Sequence, residues 1–135
     1  MKKVIYITLL IGMLIGGVVL VLAIKDTNEE TKVGIRHVSM DDIVQIMDEN
    51  ENYIILDVRT IEEYNEGHIP NAICIPNETI DESVAEQLPN KEQLVLIYCR
   101  SGNRSKQATT KLANLGYTNL VEFGGIIDWD GEIER

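Results

Sequence analysis

Histidine and cysteine are scarce in this chain of 135 residues, which has two of each. That is too few for a disulfide framework, and it leaves no plausible zinc site of His and Cys ligands. Charge is missing from residues 4–24, VIYITLLIGMLIGGVVLVLAI, and no acidic residue occurs before Asp26. Positive charge is sparse in the rest of the chain: residues 26–135 hold nine basic and 22 acidic side chains, net −13. Such a surface repels nucleic-acid phosphates and anionic headgroups, so a nucleic-acid partner is excluded. Internal repeats and low-complexity segments are also absent, which leaves one ordinary domain, with the remaining 110 residues enough for a single core.

The uncharged run is the first positive feature. Its 21 residues extend about 31 Å as a helix, against roughly 30 Å of bilayer hydrocarbon. A cleaved secretory signal competes with this reading, because Lys2 and Lys3 form an n-region and Val21 and Ala23 suit a cut after Ala23. The run is longer than a usual signal core of about 7–15 residues, which favours an uncleaved anchor. A buried core helix fits less well, since the segment is apolar all round and carries Gly12, Gly16 and Gly17. Lys2, Lys3 and the free amino terminus lie close to the run and favour an amino terminus inside, which places the domain outside the cytoplasm. Residues 1–25 are thus read as anchor or signal, 26–34 (the polar run ending at Gly34) as tether, and 35–135 as the domain.

Within the domain, capping signals and apolar runs alternate. Ser39 with Asp42 opens a helix whose Met40, Ile43, Val44 and Met47 share one face. YIILDV, residues 53–58, has no helical period and reads as a strand buried on both faces. Thr60 with Glu63 opens a short helix ended by Gly67 to Pro70, and AICI, residues 72–75, comes next as a strand. Thr79 with Glu82 predicts a third helix, with Ile80, Val84 and Leu88 inward and Pro89 as its stop. LVLIY, residues 94–98, is another fully buried strand. A helix from about Arg104 carries Ala108, Leu112 and Leu115 to Gly116, and a short strand covers Asn119 to Val121. Each gap between strands is long enough for a parallel crossover, so the fold class is α/β, three layers around a mainly parallel sheet.

Ligands of such sheets bind beyond the carboxyl ends of the strands, where Cys99 stands. The next residues, Arg100, Ser101, Gly102, Asn103, Arg104 and Ser105, form a loop running into a helix, with Gly102 and Asn103 able to take positive φ. Amides of such a loop converge as an anion nest. With Arg100, Arg104 and Lys106 nearby, they favour thiolate over thiol at Cys99. Arg59 and Glu63, four apart at a helix start, read as a local pair. His68 reads as structural, Cys74 as a small apolar residue with a lesser role as a resolving thiol for Cys99, and Trp129 as packing for the last helix.

Asp57-Val58-Arg59, Glu63-Tyr64, Gly67-His68-Ile69-Pro70-Asn71-Ala72, the loop from Cys99 to Ser105, Gly124-Gly125 and Trp129 succeed one another in an order that resembles the single-domain rhodanese family of sulfurtransferases, over about residues 35–131. The resemblance implies that Cys99 takes the outer sulfur of thiosulfate, releases sulfite, and passes the sulfur to cyanide or a thiol through a persulfide. Arg100 and Arg104 would orient the donor, and no metal or organic cofactor is called for. Related phosphatases and arsenate reductases keep five residues between cysteine and arginine. The four between Cys99 and Arg104 imply a ring sized for one sulfur rather than a phosphate. Relatives that use mercaptopyruvate carry Gly-Ser-Gly-Val-Thr after the cysteine, unlike the loop here. The competing role is a persulfide carrier or redox sensor that docks on a protein partner. For the membrane topology, a membrane-impermeant thiol reagent is expected to label the domain in intact cells; labelling only after lysis would contradict the orientation.

Overall fold

The computed structural model describes residues 34–135. Residues 4–24, whose sequence reads as a membrane segment, lie outside the described residues. Among the described residues no helix is long and apolar enough to cross a membrane.

Five strands and three α-helices make up the domain: β1 (Gly34–His37), α1 (Met40–Glu49), β2 (Tyr53–Asp57), α2 (Ile61–Glu66), β3 (Ile73–Cys74), β4 (Leu94–Cys99), α3 (Asn103–Asn114) and β5 (Asn119–Gly125). The strand order is β1-β5-β4-β2-β3, with every pairing parallel. Alternate residues of the central strands feed two cores, as a sheet covered on both faces requires. Leu56, Val95, Ile97 and Leu120 pack with Ala108 and Leu112 of α3. Ile55, Leu96, Tyr98, Val121 and Phe123 pack with Ile43 of α1. This is the expected three-layer α/β arrangement.

Both amino-terminal capping boxes form. Ser39 Oγ accepts from the Asp42 amide at 3.2 Å, and Thr60 Oγ1 accepts from the Glu63 amide at 3.2 Å, with each carboxylate reaching back to its cap. The third box does not. Ile80, Val84 and Leu88 are buried as expected, but the segment forms two 3-10 turns, Asn77–Thr79 and Glu82–Glu86, in place of an α-helix. Side chains compete with the helical ladder here. Thr79 Oγ1 donates to the Pro76 carbonyl at 2.8 Å rather than capping, and Asp81 Oδ1 accepts from the Ser83 amide at 2.8 Å.

Other expectations need correction. Val44 is exposed, and Ile46 joins Met40 and Met47 against the core instead. The last strand continues through Glu122 to Gly125. Gly34, assigned to the tether, opens β1, a short edge strand that runs beside β5 without an apolar pattern to betray it.

A buried polar knot ties the sheet to the loop after α2. Arg59 Nη2 donates to Asp57 Oδ2 at 2.6 Å and to the Gly67 carbonyl at 2.7 Å. Tyr98 Oη donates to Asp57 Oδ2 at 2.7 Å and accepts from the Ile69 amide at 3.1 Å. Burial and its hydrogen bond to Asp57 hold the Tyr98 phenol protonated, well above the ordinary range. Thus Arg59 pairs with Asp57 and not with Glu63, because Asp57 is buried beside it and no water can take its partner's place. Arg59→Leu is expected to cost about 3–5 kcal/mol by stranding the Asp57 carboxylate; a loss below about 1 kcal/mol in urea denaturation would contradict this account.

Candidate active site

The Cys99 side chain closes β4 on the α3 face of the sheet and is 1% exposed. The chain turns at Gly102, whose φ of 103° is accessible to glycine at little cost, and α3 begins at Asn103. Gly102 alone takes positive φ in the loop; Asn103, expected to share that freedom, is already helical. The turn aims the Gly102 amide at Cys99 Sγ, 3.0 Å away. Cys99 Sγ also lies 3.5 Å from Ser105 Oγ. Burial pushes the thiol up, yet the Ser105 hydroxyl and the amides of Ser105, Gly102 and Ser101 outweigh it. The net direction is down from an ordinary cysteine.

Backbone packing fixes the loop from below. A Cβ on Gly125 would stand 2.0 Å from the Arg100 carbonyl oxygen and 2.5 Å from Ser101 Cα. The Ile127 amide donates to that same Arg100 carbonyl at 3.2 Å. Only a residue without a side chain lets β5 lie this close under the loop, which gives the Gly124-Gly125 pair its physical meaning.

The cations do not behave alike. Arg104 is clasped by Glu63, with Nη1 to Oε2 at 2.7 Å and Nη2 to Oε1 at 2.9 Å. This fork, together with the Thr60 amide, holds the Glu63 carboxyl down at about 2 against the cost of partial burial. Because the folded value lies below the unfolded one, the stabilisation is full above about pH 4.5 and is lost as pH falls toward 2. Arg100 and Lys106 are exposed, and among the described residues the Arg100 side chain has no hydrogen-bond partner. Arg100, within the loop, and Lys106, on the first turns of α3, are therefore the cations that another anion can engage, while Arg104 carries a charge already matched. Ser101 and Asn103 are also exposed.

Two further side chains, Glu122 and His37, belong to this place and were not read from the sequence. Glu122, 3% exposed, accepts from Ser105 Oγ at 2.5 Å and from the Gly124 amide at 2.9 Å, and its Oε2 lies 2.9 Å from His37 Nδ1. The signal was a lone carboxylate inside the apolar run LVEFGG. His68, by contrast, is structural as expected: its ring stacks on Tyr64 at 3.7 Å, and its backbone pairs with Glu134.

Cys74 stands apart from the site. It pairs in register with Asp57, and Asp57 pairs with Tyr98, the residue before Cys99. Two strand spacings, about 9.6 Å, separate the two chains, beyond the ~7 Å that a disulfide bridges. Burial pushes the Cys74 thiol up to about 11. The resolving-thiol role weighed for it is therefore excluded for this conformation.

Comparison with known proteins fits this geometry. A family model described as a rhodanese-like domain matches residues 39–132. The chain is 38% identical over 73 residues to thiosulfate sulfurtransferase PspE of Escherichia coli (strain K12), covering 54% of this chain and 70% of that protein. It is 33% identical over 108 residues to putative sulfur carrier protein YrkF of Bacillus subtilis (strain 168), covering 79% of this chain but 57% of that protein's length. Among solved structures, a rhodanese with anions from E. coli superposes with a TM-score of 0.57 at 34% identity, over 62% of this chain and 98% of that one. A rhodanese-like domain protein from Staphylococcus aureus gives a TM-score of 0.61 at 32% identity, over 73% and 96%.

The loop's dependence on Gly125 is open to test. Gly125→Ala is expected to slow alkylation of Cys99 at pH 7 about tenfold while circular dichroism stays unchanged, because displaced amides no longer favour the thiolate; an unaltered rate would show that the loop does not need the close approach.

Proposed function

The chain belongs to the rhodanese-like domain family of sulfurtransferases, and on that premise we propose that it moves sulfane sulfur from thiosulfate or a similar anion to a thiol or cyanide, with Cys99 as the nucleophile. The observation that carries this reading is the Gly102 amide 3.0 Å from a buried sulfur, at the head of a loop whose other amides also favour the anion.

In the first half-reaction, Cys99 thiolate attacks the outer sulfur of the donor. A bond forms between Sγ and that sulfur, the donor's sulfur–sulfur bond breaks, and sulfite leaves with the electron pair. Arg100, exposed at the loop, meets the dianion and the departing sulfite, as a cation placed where negative charge accumulates. Arg104 acts through Glu63: the fork fastens the first turn of α3 to α2 and so holds the loop's helical end. The terminal sulfur of the persulfide takes the place where loop amides point. In the second half-reaction, a thiolate or cyanide attacks that sulfur and Cys99 leaves as thiolate. Its preference for the anion serves both halves, as nucleophile and as leaving group. Residues 4–24 would hold this chemistry at a membrane, with the domain outside the cytoplasm.

A carrier role is the second reading, supported by the likeness to a putative sulfur carrier protein. There the same persulfide forms once and waits for a protein acceptor. Steady-state thiocyanate formation from thiosulfate and cyanide separates the two. We expect repeated turnover that falls by about 10³-fold or more in Cys99→Ser; loading of one sulfur per chain without turnover would favour the carrier, and turnover that survives the substitution would remove Cys99 from the reaction.

A further inference from the structure

Glu122 is a buried carboxylate that the sulfur-transfer steps do not use, and it reaches Cys99 through one hydroxyl. Ser105 Oγ has a single proton and several places to send it: Glu122 Oε1 at 2.5 Å, the Gly102 carbonyl at 3.0 Å and the Gly124 carbonyl at 3.4 Å. A carboxylate is the strongest acceptor of the three and the nearest. With its proton turned that way, Ser105 Oγ faces Cys99 Sγ with a lone pair, and the thiol donates to it at 3.5 Å. With the proton on Glu122, Ser105 supports S–H and the backbone amides alone support S⁻. For the Ser105 hydroxyl to add its own push toward a thiolate or a persulfide anion, its proton has to leave Glu122 and turn to sulfur.

We propose that Glu122 is a positioning residue for Cys99, competing with the sulfur for the one Ser105 proton and so setting how far the thiol ionises, with His37 as the partner that weakens its hold. This rests on the reading of Cys99 as the nucleophile. Glu122 can release the Ser105 proton only if other donors satisfy it. Those donors are the Gly124 amide on Oε1 and His37 on Oε2. The His37 side chain is 54% exposed while that of Glu122 is 3% exposed, so the imidazole is where this buried chain of hydrogen bonds meets solvent.

The other ionisable groups on neighbouring elements are engaged elsewhere or face water. On β1, Arg36 is exposed. On α1, Asp41, Asp42, Asp48 and Glu49 are exposed. On α3, Arg104 is clasped by Glu63, Lys111 donates to the Asn77 carbonyl, and Lys106 is exposed. On β4, Tyr98 points into the opposite core toward Asp57, leaving Cys99 itself. Among the described residues His37 is therefore the ionisable side chain in contact with Glu122.

The test is the pH profile of Cys99 alkylation by iodoacetamide in the full chain, resolved by mass spectrometry of the Cys99 peptide. The Cys74 thiol, pushed up to about 11, stays silent near neutrality. Glu122→Gln removes the charge and supplies an amide N–H to Ser105 Oγ, so the profile is expected to move to lower pH, with alkylation at pH 6 about threefold faster or more. In a Ser105→Ala background that gain is expected to fall by more than half. An unchanged or slower rate in Glu122→Gln would overturn the proposal, and so would a gain that persists undiminished without Ser105, which would make Glu122 a through-space charge only. His37→Leu, at an exposed position that spares the core, is expected to move the profile the opposite way, with alkylation about threefold slower at pH 6; no movement would overturn the role of His37 even if Glu122→Gln failed to fold. Alkylation needs no sulfur donor, so a chain that shows these shifts but never turns over thiosulfate would contradict the sulfurtransferase reading and leave this one standing.

Discussion

The architecture depends on bringing peptide amides to one sulfur without water. Cys99 is buried at the end of β4, a position that on its own disfavours the thiolate. The loop reverses that preference with donors that are part of the backbone and need no rearrangement when charge appears. This requirement explains why the turn falls at Gly102, where a left-handed conformation points the amide inward. It also explains why β5 ends in two glycines, one of which lets the loop lie against it. The same amides that favour an anion at Sγ would favour one at a sulfur attached to it, so in the proposed transfer a single geometry would suit nucleophile, persulfide and leaving group.

Two ion pairs hold the surrounding frame, and each does a different task. Asp57 and Arg59, with Tyr98, join the ends of β2 and β4 to the segment from Gly67 to Ile69. That knot lies on the side of the sheet opposite α3 and keeps the strand ends in register beneath the loop. Glu63 and Arg104 instead join α2 to α3 across the mouth, so Glu63 serves both as a helix cap and as a clasp. The carboxyl-terminal residues return to pair with His68, which fastens the loop after α2 from the outside.

Much of this was legible in the residues. LVLIY ending in Cys99, the Ser39 and Thr60 capping boxes and the Gly116 terminator each state a local rule, and each rule was kept, even at Glu63, whose carboxylate caps the Thr60 amide and holds Arg104 as well. Thr79 with Glu82 states the same rule and failed: the Pro76 carbonyl takes both the amide and the hydroxyl of Thr79, and Asp81 caps the next turn through the Ser83 amide. GIRH has no apolar alternation, since an edge strand packs on one neighbour only, and so β1 was hidden. The partners of Arg59 and Arg104 were out of reach for a different reason. For Arg59 sequence spacing proposed Glu63, four residues away, whereas burial of Asp57 decided the pairing; Arg104 read as a cation for the donor, and the approach of two helices gave it Glu63 instead. Glu122 was visible as a charge within an apolar run, but its purpose becomes evident only with Ser105 and His37 beside it.

Whether the nest around Cys99 holds a second sulfur atom is the decisive question. Intact-mass analysis of the full chain after incubation with thiosulfate reads this directly. A gain of one sulfur atom, mapped to the Cys99 peptide and removed by cyanide, is the predicted result. A chain whose mass is unchanged under conditions where Cys99 is reduced and alkylates readily would contradict it.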